Sequence, residues 1–235
     1  MNVVSIMAHQ DDEMMCLGTL LRCKARGDRV YFITLTDGSK GFVQQPDIAP
    51  PEAARIRHTE MVDLAKRMGA EVINLAEPDE FLYDTPAVRL ALIEAIRATG
   101  ANLIFTHLDQ DYNLDHIATN LLVRQCAMQS CLPVLPTASA HLAEHPAVFL
   151  VEPHGPVSFT PTHYVDVSAV QDEKSALIAC HRSQDEAFRA FTGHGLESLI
   201  AKISAFRGLQ SGCEHAEAFV PMPARGANKP FPILP

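Results

Sequence analysis

The sequence predicts an α/β fold, Rossmann-like, with a mostly parallel sheet covered by helices on both faces. Three observations carry this. Short runs rich in β-branched residues alternate along the chain with longer segments of helical periodicity. The runs are almost continuously apolar, as in parallel strands buried on both faces. Polar clusters follow three of them, and ligands gather at the carboxyl ends of strands in open α/β sheets.

The elements follow in order. Residues 3–8 form the first strand. Residues 13–26 carry Met14, Leu17, Leu20 and Leu21 at helical spacing, and Gly27 stops that helix. Residues 29–36 (RVYFITLT) are β-branched and aromatic, a second strand. The turn-rich stretch Asp37-Gly38-Ser39-Lys40-Gly41 opens a loop that runs to Pro51. A helix over 51–68 has Pro51 at its start and Gly69 at its end. Residues 72–75 are a third strand. Residues 85–99 are a helix with Pro86 in its first turn and Gly100 after it. Residues 103–106 are a fourth strand, ending in the polar segment 107–116. A long helix spans 115–129, and Pro133 and Pro136 break the chain. Residues 148–151 and 164–167 read as strands, 169–180 and 196–206 as helices. The Pro/Gly-rich tail from about residue 221 reads as extended.

The chain has 235 residues, of which 47% are hydrophobic, enough for a sizeable core. It reads as one domain over 1–235, without repeats or an interdomain linker. The net charge of −9 argues against a nucleic-acid partner, which would need a basic stripe. No apolar run reaches the length of a membrane span, and no basic n-region precedes an apolar h-region. The six cysteines include no CxxC pair and read as reduced thiols of a cytoplasmic protein.

The chemistry concentrates in Ala8-His9-Gln10-Asp11-Asp12-Glu13 at the tip of strand one. A histidine and three acids cannot continue a strand into a core, because unpaired buried charge is too costly. His9 and Asp12, three residues apart, suit a divalent metal, and Asp11 between them suits a base. The cluster after strand two is Thr36 to Gly41. The cluster after strand four runs from Thr106 to His116. In a parallel sheet these tips lie on one edge. The first and third can supply one or two imidazoles and a carboxylate, with positions left open for water and substrate.

These motifs, in this order, resemble the PIG-L/LmbE-type zinc-dependent N-deacetylases. That family opens with Ala-His-Pro-Asp-Asp-Glu, which stands here with Gln10 in place of proline. Its second motif, His-Pro-Asp-His, is matched by Asn113-Leu114-Asp115-His116. Further matches are Leu35-Thr36-Asp37-Gly38, Arg57 with Glu60, the stretch KSALIACHRSQ over 174–184, and Ala216-Glu217-Ala218-Phe219. The resemblance implies an LmbE-like fold and one Zn²⁺ per chain held by His9, Asp12 and His116. Fe²⁺, Co²⁺ or Mn²⁺ would also suit a His₂Asp set. It implies Asp11 as general base and a small-molecule N-acyl substrate, most simply an N-acetyl amino sugar. It also allows a homo-oligomer. Two alternatives stay open: an amidase of thiol-conjugate or other non-sugar amides, and a noncatalytic sugar- or nucleotide-binding member.

Asn113 stands where the family has a histidine that assists the oxyanion or tunes the site. An amide can donate a hydrogen bond there but cannot transfer a proton. Asn113 is carried as a candidate catalytic residue and Asp115 as its support, although Asp115 alone would read as a helix cap. His107, His154 and His181 are candidates to compensate. Taken singly, His107 reads as a strand-end surface residue and His181 as a charge partner at a helix C-terminus. His107, His154 and Arg57 are also candidate substrate contacts. Arg57 and Glu60 read equally well as a pair on a solvated helix face.

Overall fold

A computed structural model describes residues 1–155 and 157–223. The predicted extended tail falls largely on residues 224–235, outside the described residues.

The strands are β1 (Asn2–Met7), β2 (Arg29–Thr36), β3 (Glu71–Glu77), β4 (Leu103–Thr106), β5 (Ala147–Val151), β6 (His163–Asp166) and β7 (Ala216–Pro221). They form one sheet in the order β3-β2-β1-β4-β5-β7-β6. The first five in that row are parallel, and β7 runs antiparallel between β5 and β6. The chain leaves β1 toward β2 on one side and returns to β4 on the other. The order reverses between β1 and β4, and at that switch point the two following loops diverge and leave a crevice. Val3, Val4, Ser5, Ile6 and Met7 of β1 are all buried, as a central parallel strand requires.

The helices are α1 (Leu17–Ala25), α2 (Pro50–Met68), α3 (Pro86–Thr99), α4 (Leu114–Gln129), α5 (Gln171–Ile178), α6 (Arg182–Thr192) and α7 (Leu196–Ser211). Leu17 and Leu20 of α1, Met61 and Leu64 of α2, and Ile200 of α7 pack on one face of the sheet. Leu92 and Ile96 of α3 and Leu122 and Val123 of α4 cover the other. Local chemistry sets the helix ends. The Thr85 hydroxyl accepts from the Val88 amide at the start of α3, and Gly69 ends α2 in the left-handed region at φ 66°.

Several expectations are corrected. The helix predicted over 13–26 breaks at Cys16, because Asp12–Met15 form a separate 3₁₀ turn that carries the acidic motif away from the strand. The helix over 169–180 is α5 preceded by a 3₁₀ turn, and the last helix extends to Ser211. Two elements were not anticipated. Helix α6 is mostly polar and buries only Ser183 and Ala187, so its sequence carries little core signal. Strand β7 contains a buried glutamate, Glu217, which masks its apolar run. That glutamate caps α1, because its carboxylate accepts from the Gly18 and Thr19 amides at 2.8 and 2.7 Å. Lys174 of α5 neutralises it at 2.7 Å, with both side chains buried.

Removing one member of a buried ion pair leaves the other uncompensated. Glu217→Ala should therefore destabilise the protein by about 3–5 kcal/mol, measured by chemical denaturation. A loss below about 1 kcal/mol would mean that β7 does not anchor α1 in this way.

Candidate active site

The tip of β1 delivers His9 and Asp12, and the first turn of α4, which follows β4, delivers His116. All three are buried. Their facing groups form a triangle in which the Asp12 carboxylate meets each ring through a different oxygen. His9 Nδ1 lies 3.3 Å from His116 Nε2 and 3.2 Å from Asp12 Oδ2, and His116 Nε2 lies 3.3 Å from Asp12 Oδ1. Tetrahedral zinc bonds of about 2.0–2.1 Å imply ligand atoms about 3.3–3.4 Å apart. Two imidazole nitrogens and a carboxylate turned toward one point at that spacing suit a divalent cation. Zn²⁺ fits the donor set, as would other borderline metals.

The rear of each ring is held by acids. His9 Nε2 is 3.1 Å from Asp79 Oδ1 and 3.4 Å from Asp115 Oδ2. Asp111 Oδ2 lies 3.1 Å from His116 Nδ1, too far off line for a full hydrogen bond. These acids are committed elsewhere as well. Asp115 accepts from the Glu80 and Leu82 amides, Asp79 from the Lys40 amide and Asp111 from the Asn113 amide. They are placed to orient the rings, as carboxylates behind metal-binding histidines do, and two further groups, His9 with Asp79 and Asp115, and His107 with Asp111 and His116, are also close enough to hold an ion.

His107 corrects its expectation as a surface residue. It is buried, its Nε2 accepts from the Ala8 amide at 3.0 Å, and its ring stacks on His116 with centroids 4.0 Å apart. It braces the site from behind and does not line the cavity. His181 is buried too. It sits at the N-terminal end of α6, not at a helix C-terminus, and its Nε2 meets Glu13 Oε1 at 2.6 Å. Arg57 does not pair with Glu60. Its guanidinium is buried against Asp11 Oδ1 at 2.8 Å and also donates to the Gln10 carbonyl, while Glu60 accepts from Ser183. Asn113 is the N-cap of α4, its side-chain oxygen accepting from the Asp115 amide at 2.7 Å and the His116 amide at 3.4 Å.

Asp11 carries the backbone strain of the site, with φ 123° and ψ −24°. A non-glycine residue there costs about 1–3 kcal/mol and persists only when its surroundings overdetermine it. They do: Glu13 Oε2 accepts the Asp11 amide at 3.0 Å, His181 holds Glu13, and Arg57 grips the Asp11 carboxylate. Gly38 lets this packing close. At φ 66° it comes so near the Gln10 and Arg57 side chains that a Cβ would collide with both.

The electrostatics favour a cation. Burial opposes a charge on His9, but Asp115, Asp12 and Asp79 outweigh it and raise its pKa well above the usual value. Burial likewise opposes the His116 cation, yet Asp12 and Asp111 bring its pKa to about 9. Burial and the neighbouring His116 charge push His107 down to about 4. Burial would raise Asp12, but the charges of His116 and His107 hold it well below the usual carboxylate range. Burial raises Asp11 despite Arg57.

These groups open into a cavity of about 470 Å³. His9, Asp11, Asp12 and His116 form its floor, with Arg57, Tyr112, Asn113 and His154 around them. Glu13 reads in the sequence as a helix-start or supporting residue of the opening motif, whereas Asp79, Asp111 and Tyr112 are not singled out there. Their positions in polar strand-end loops were the only signal, and only the fold shows which acids turn inward.

The sequence profile of the family described as PIG-L, GlcNAc-PI de-N-acetylase, matches residues 4–127, which span His9 through His116. The chain belongs to the PIG-L family. This PIG-L chain is similar in structure to the conserved protein TT1542 from Thermus thermophilus, with 27% identity, TM-score 0.79, and 99% of this chain and 96% of that one covered. It is similar also to the N,N'-diacetylchitobiose deacetylase from Pyrococcus horikoshii, with 24% identity, TM-score 0.80, and coverage of 94% and 83%. The hydratase GalB from Pseudomonas putida KT2440 shares the fold at 18% identity and TM-score 0.83, with coverage of 98% and 100%. No curated protein matches the sequence.

In the metal-free protein the raised pKa of His116 adds stability that is complete below pH about 6.5 and is lost as pH rises through about 9. The same proton competes with a metal. Apparent Zn²⁺ affinity should therefore rise by at least about tenfold per pH unit between 7 and 9, measured against a competing chelator. His116→Ala should abolish one-to-one uptake. Affinity that falls with pH would contradict this ligand set.

Proposed function

We propose that this chain is a metal-dependent hydrolase that removes an N-acetyl, or other N-acyl, group from an amino-sugar-like small molecule. The observation that carries the reading is the donor triangle of His9, Asp12 and His116 in one cavity with a strained, clamped Asp11. Membership of a family described as a de-N-acetylase supports it, as does structural similarity to a protein named as a diacetylchitobiose deacetylase.

A divalent ion on the triangle would lower the pKa of a water toward about 7 and polarise the acyl carbonyl. The rest falls to the chain. Asp11 accepts the proton of the attacking water and returns it to the departing amine, so that amide and water become carboxylate and amine. Burial favours this double use, because it raises Asp11 and makes the carboxyl a better proton carrier. Arg57 and the Glu13–His181 pair hold Asp11 on line. Arg57 holds the Asp11 carboxylate and the Gln10 carbonyl, so its work is to position the base. Asp79, Asp111 and Asp115 keep both ligand rings aimed. The cavity exceeds the needs of an acetyl group and leaves room for a sugar ring.

The test is a panel of N-acetyl sugars and N-acyl amines, assayed for released primary amine by the metal-loaded protein with and without chelator. Release should need metal. Asp11→Asn should keep its metal and lose about 10²–10⁴-fold in kcat. Amine release unaffected by chelator would refute the reading. So would hydration of an unsaturated acid, the chemistry named for GalB, without any amine release.

A further inference from the structure

Helix α6 carries an apolar stripe that the core does not absorb. Gln184, Ala187, Phe188 and Phe191 follow the spacing of one helix face, and all four line the cavity. Arg182, Glu186 and Arg189 lie on the other face, exposed to solvent. An amphipathic helix ordinarily turns its apolar stripe to the core. Here Ala187 is buried, Phe188 is half-buried, and Phe191 stays 75% exposed at the cavity wall. Val43 from the loop after β2, 53% exposed, and the buried Leu196 at the start of α7 extend the same wall. Gln184 is its one hydrogen-bonding side chain, and its amide nitrogen already reaches the Gly41 carbonyl and the Ser183 hydroxyl.

The wall is fixed at both ends. At the start of α6, Glu60 accepts from the Ser183 amide and hydroxyl, and Gln44 donates to the Ser183 carbonyl at 3.2 Å. Beyond its end, Asp185 accepts from the Leu196 amide at 2.8 Å and from Arg189 Nε at 2.6 Å, and Gly193 closes the helix at φ 74°. Phe191 is therefore held out to water by backbone anchored on either side of it. Apolar surface held in that way gains free energy when a ligand covers it. The floor of the same cavity, with His9, Asp11, Asp12 and His116, is polar. A ligand that satisfies both regions is amphiphilic, and a cavity of about 470 Å³ lies in the range that encloses drug-sized molecules.

We infer that the substrate carries an apolar chain that lies on the wall of Val43, Phe188 and Phe191 while its amide meets the donor triangle. Phe191 and Val43 are then specificity-determining residues of this chain. The inference rests on the hydrolase reading above for the amide, and goes beyond it in the substrate class: an amphiphilic amide in place of a free acetylated amino sugar. The chain can be attached through the sugar, as an aglycone, or through the acyl group. Both present the same surface to the wall, and the experiment separates them.

The experiment compares full-length, metal-loaded wild type with Phe191→Ser, Val43→Ser and Leu209→Ser. One arm sets hexyl against methyl N-acetylglucosaminide; the other sets N-hexanoyl- against N-acetylglucosamine. In at least one arm, kcat/KM of the wild type should favour the longer chain by about 10- to 30-fold, about twofold per methylene on a wall open to solvent on one side. That arm names the side of the amide that carries the chain. Phe191→Ser and Val43→Ser should each reduce this ratio at least about threefold. Leu209→Ser, an exposed site on α7 outside the cavity, should leave it unchanged. The inference is overturned by ratios below about twofold in both arms. It is overturned equally by a ratio that Phe191→Ser leaves intact; if that variant also sediments as a smaller species, the face belongs to a second copy of this chain. Should no member of either arm release amine, calorimetry with the products decides. Tighter binding of hexyl over methyl glucosaminide, or of hexanoate over acetate, by at least about tenfold and lost in Phe191→Ser, upholds the wall while the hydrolase reading fails. No such difference in binding overturns both.

Discussion

Four carboxylates, of Asp12, Asp79, Asp111 and Asp115, converge with the imidazoles of His9, His107 and His116 at one edge of the sheet, mostly out of water. The rest of the molecule accommodates the cost of holding that charge together. Buried acids are tolerated only where positive charge or hydrogen-bond donors meet them. Here the donors are backbone amides of the loops after β3 and β2, and the positive charge sits on His9 and His116 or on the ion that would replace their protons. The topology makes the convergence possible. The strand order reverses between β1 and β4, and the diverging loops leave the cluster a crevice instead of a core.

A second constraint lies beside the first. Asp12 faces His9 and His116 while Asp11, its neighbour in the chain, meets Arg57, and the backbone between them takes a positive φ at Asp11. Helices far apart in sequence hold that conformation. Arg57 comes from α2, and His181, through Glu13, from the start of α6. Helix α6 thus contributes little to the core but closes the clamp on Asp11. Fold and chemistry are joined at this point, because the strain at Asp11 persists only while both helices are seated.

Much of this was legible in the sequence. The apolar runs and glycine-stopped helices predict the parallel sheet. The Ala8 to Glu13 motif and His116 name the residues whose atoms form the triangle. Proximity through packing was not legible. His107 reads as a surface residue because a strand end usually is one, yet α4 covers it. Asp79 and Asp111 look like ordinary loop acids until β3 and β4 place them behind His9 and His116. Asn113 looks like a weakened catalytic group, whereas its local hydrogen bonds make it a helix cap. The buried Glu217 interrupts the apolar run of β7 because it serves an ion pair with Lys174, distant in the chain, and α6, though amphipathic, is short and mostly polar.

The central claim is that His9, Asp12 and His116 form one coordination face. Anomalous diffraction at the zinc edge, from crystals grown at neutral pH with one equivalent of Zn²⁺, tests it most directly. The account predicts a single strong peak within about 2.0–2.2 Å of His9 Nδ1, His116 Nε2 and an Asp12 oxygen, with Asp11 beside it and uncoordinated. A peak held by Asp79 and Asp115, by a cysteine, or only on the surface would contradict the account.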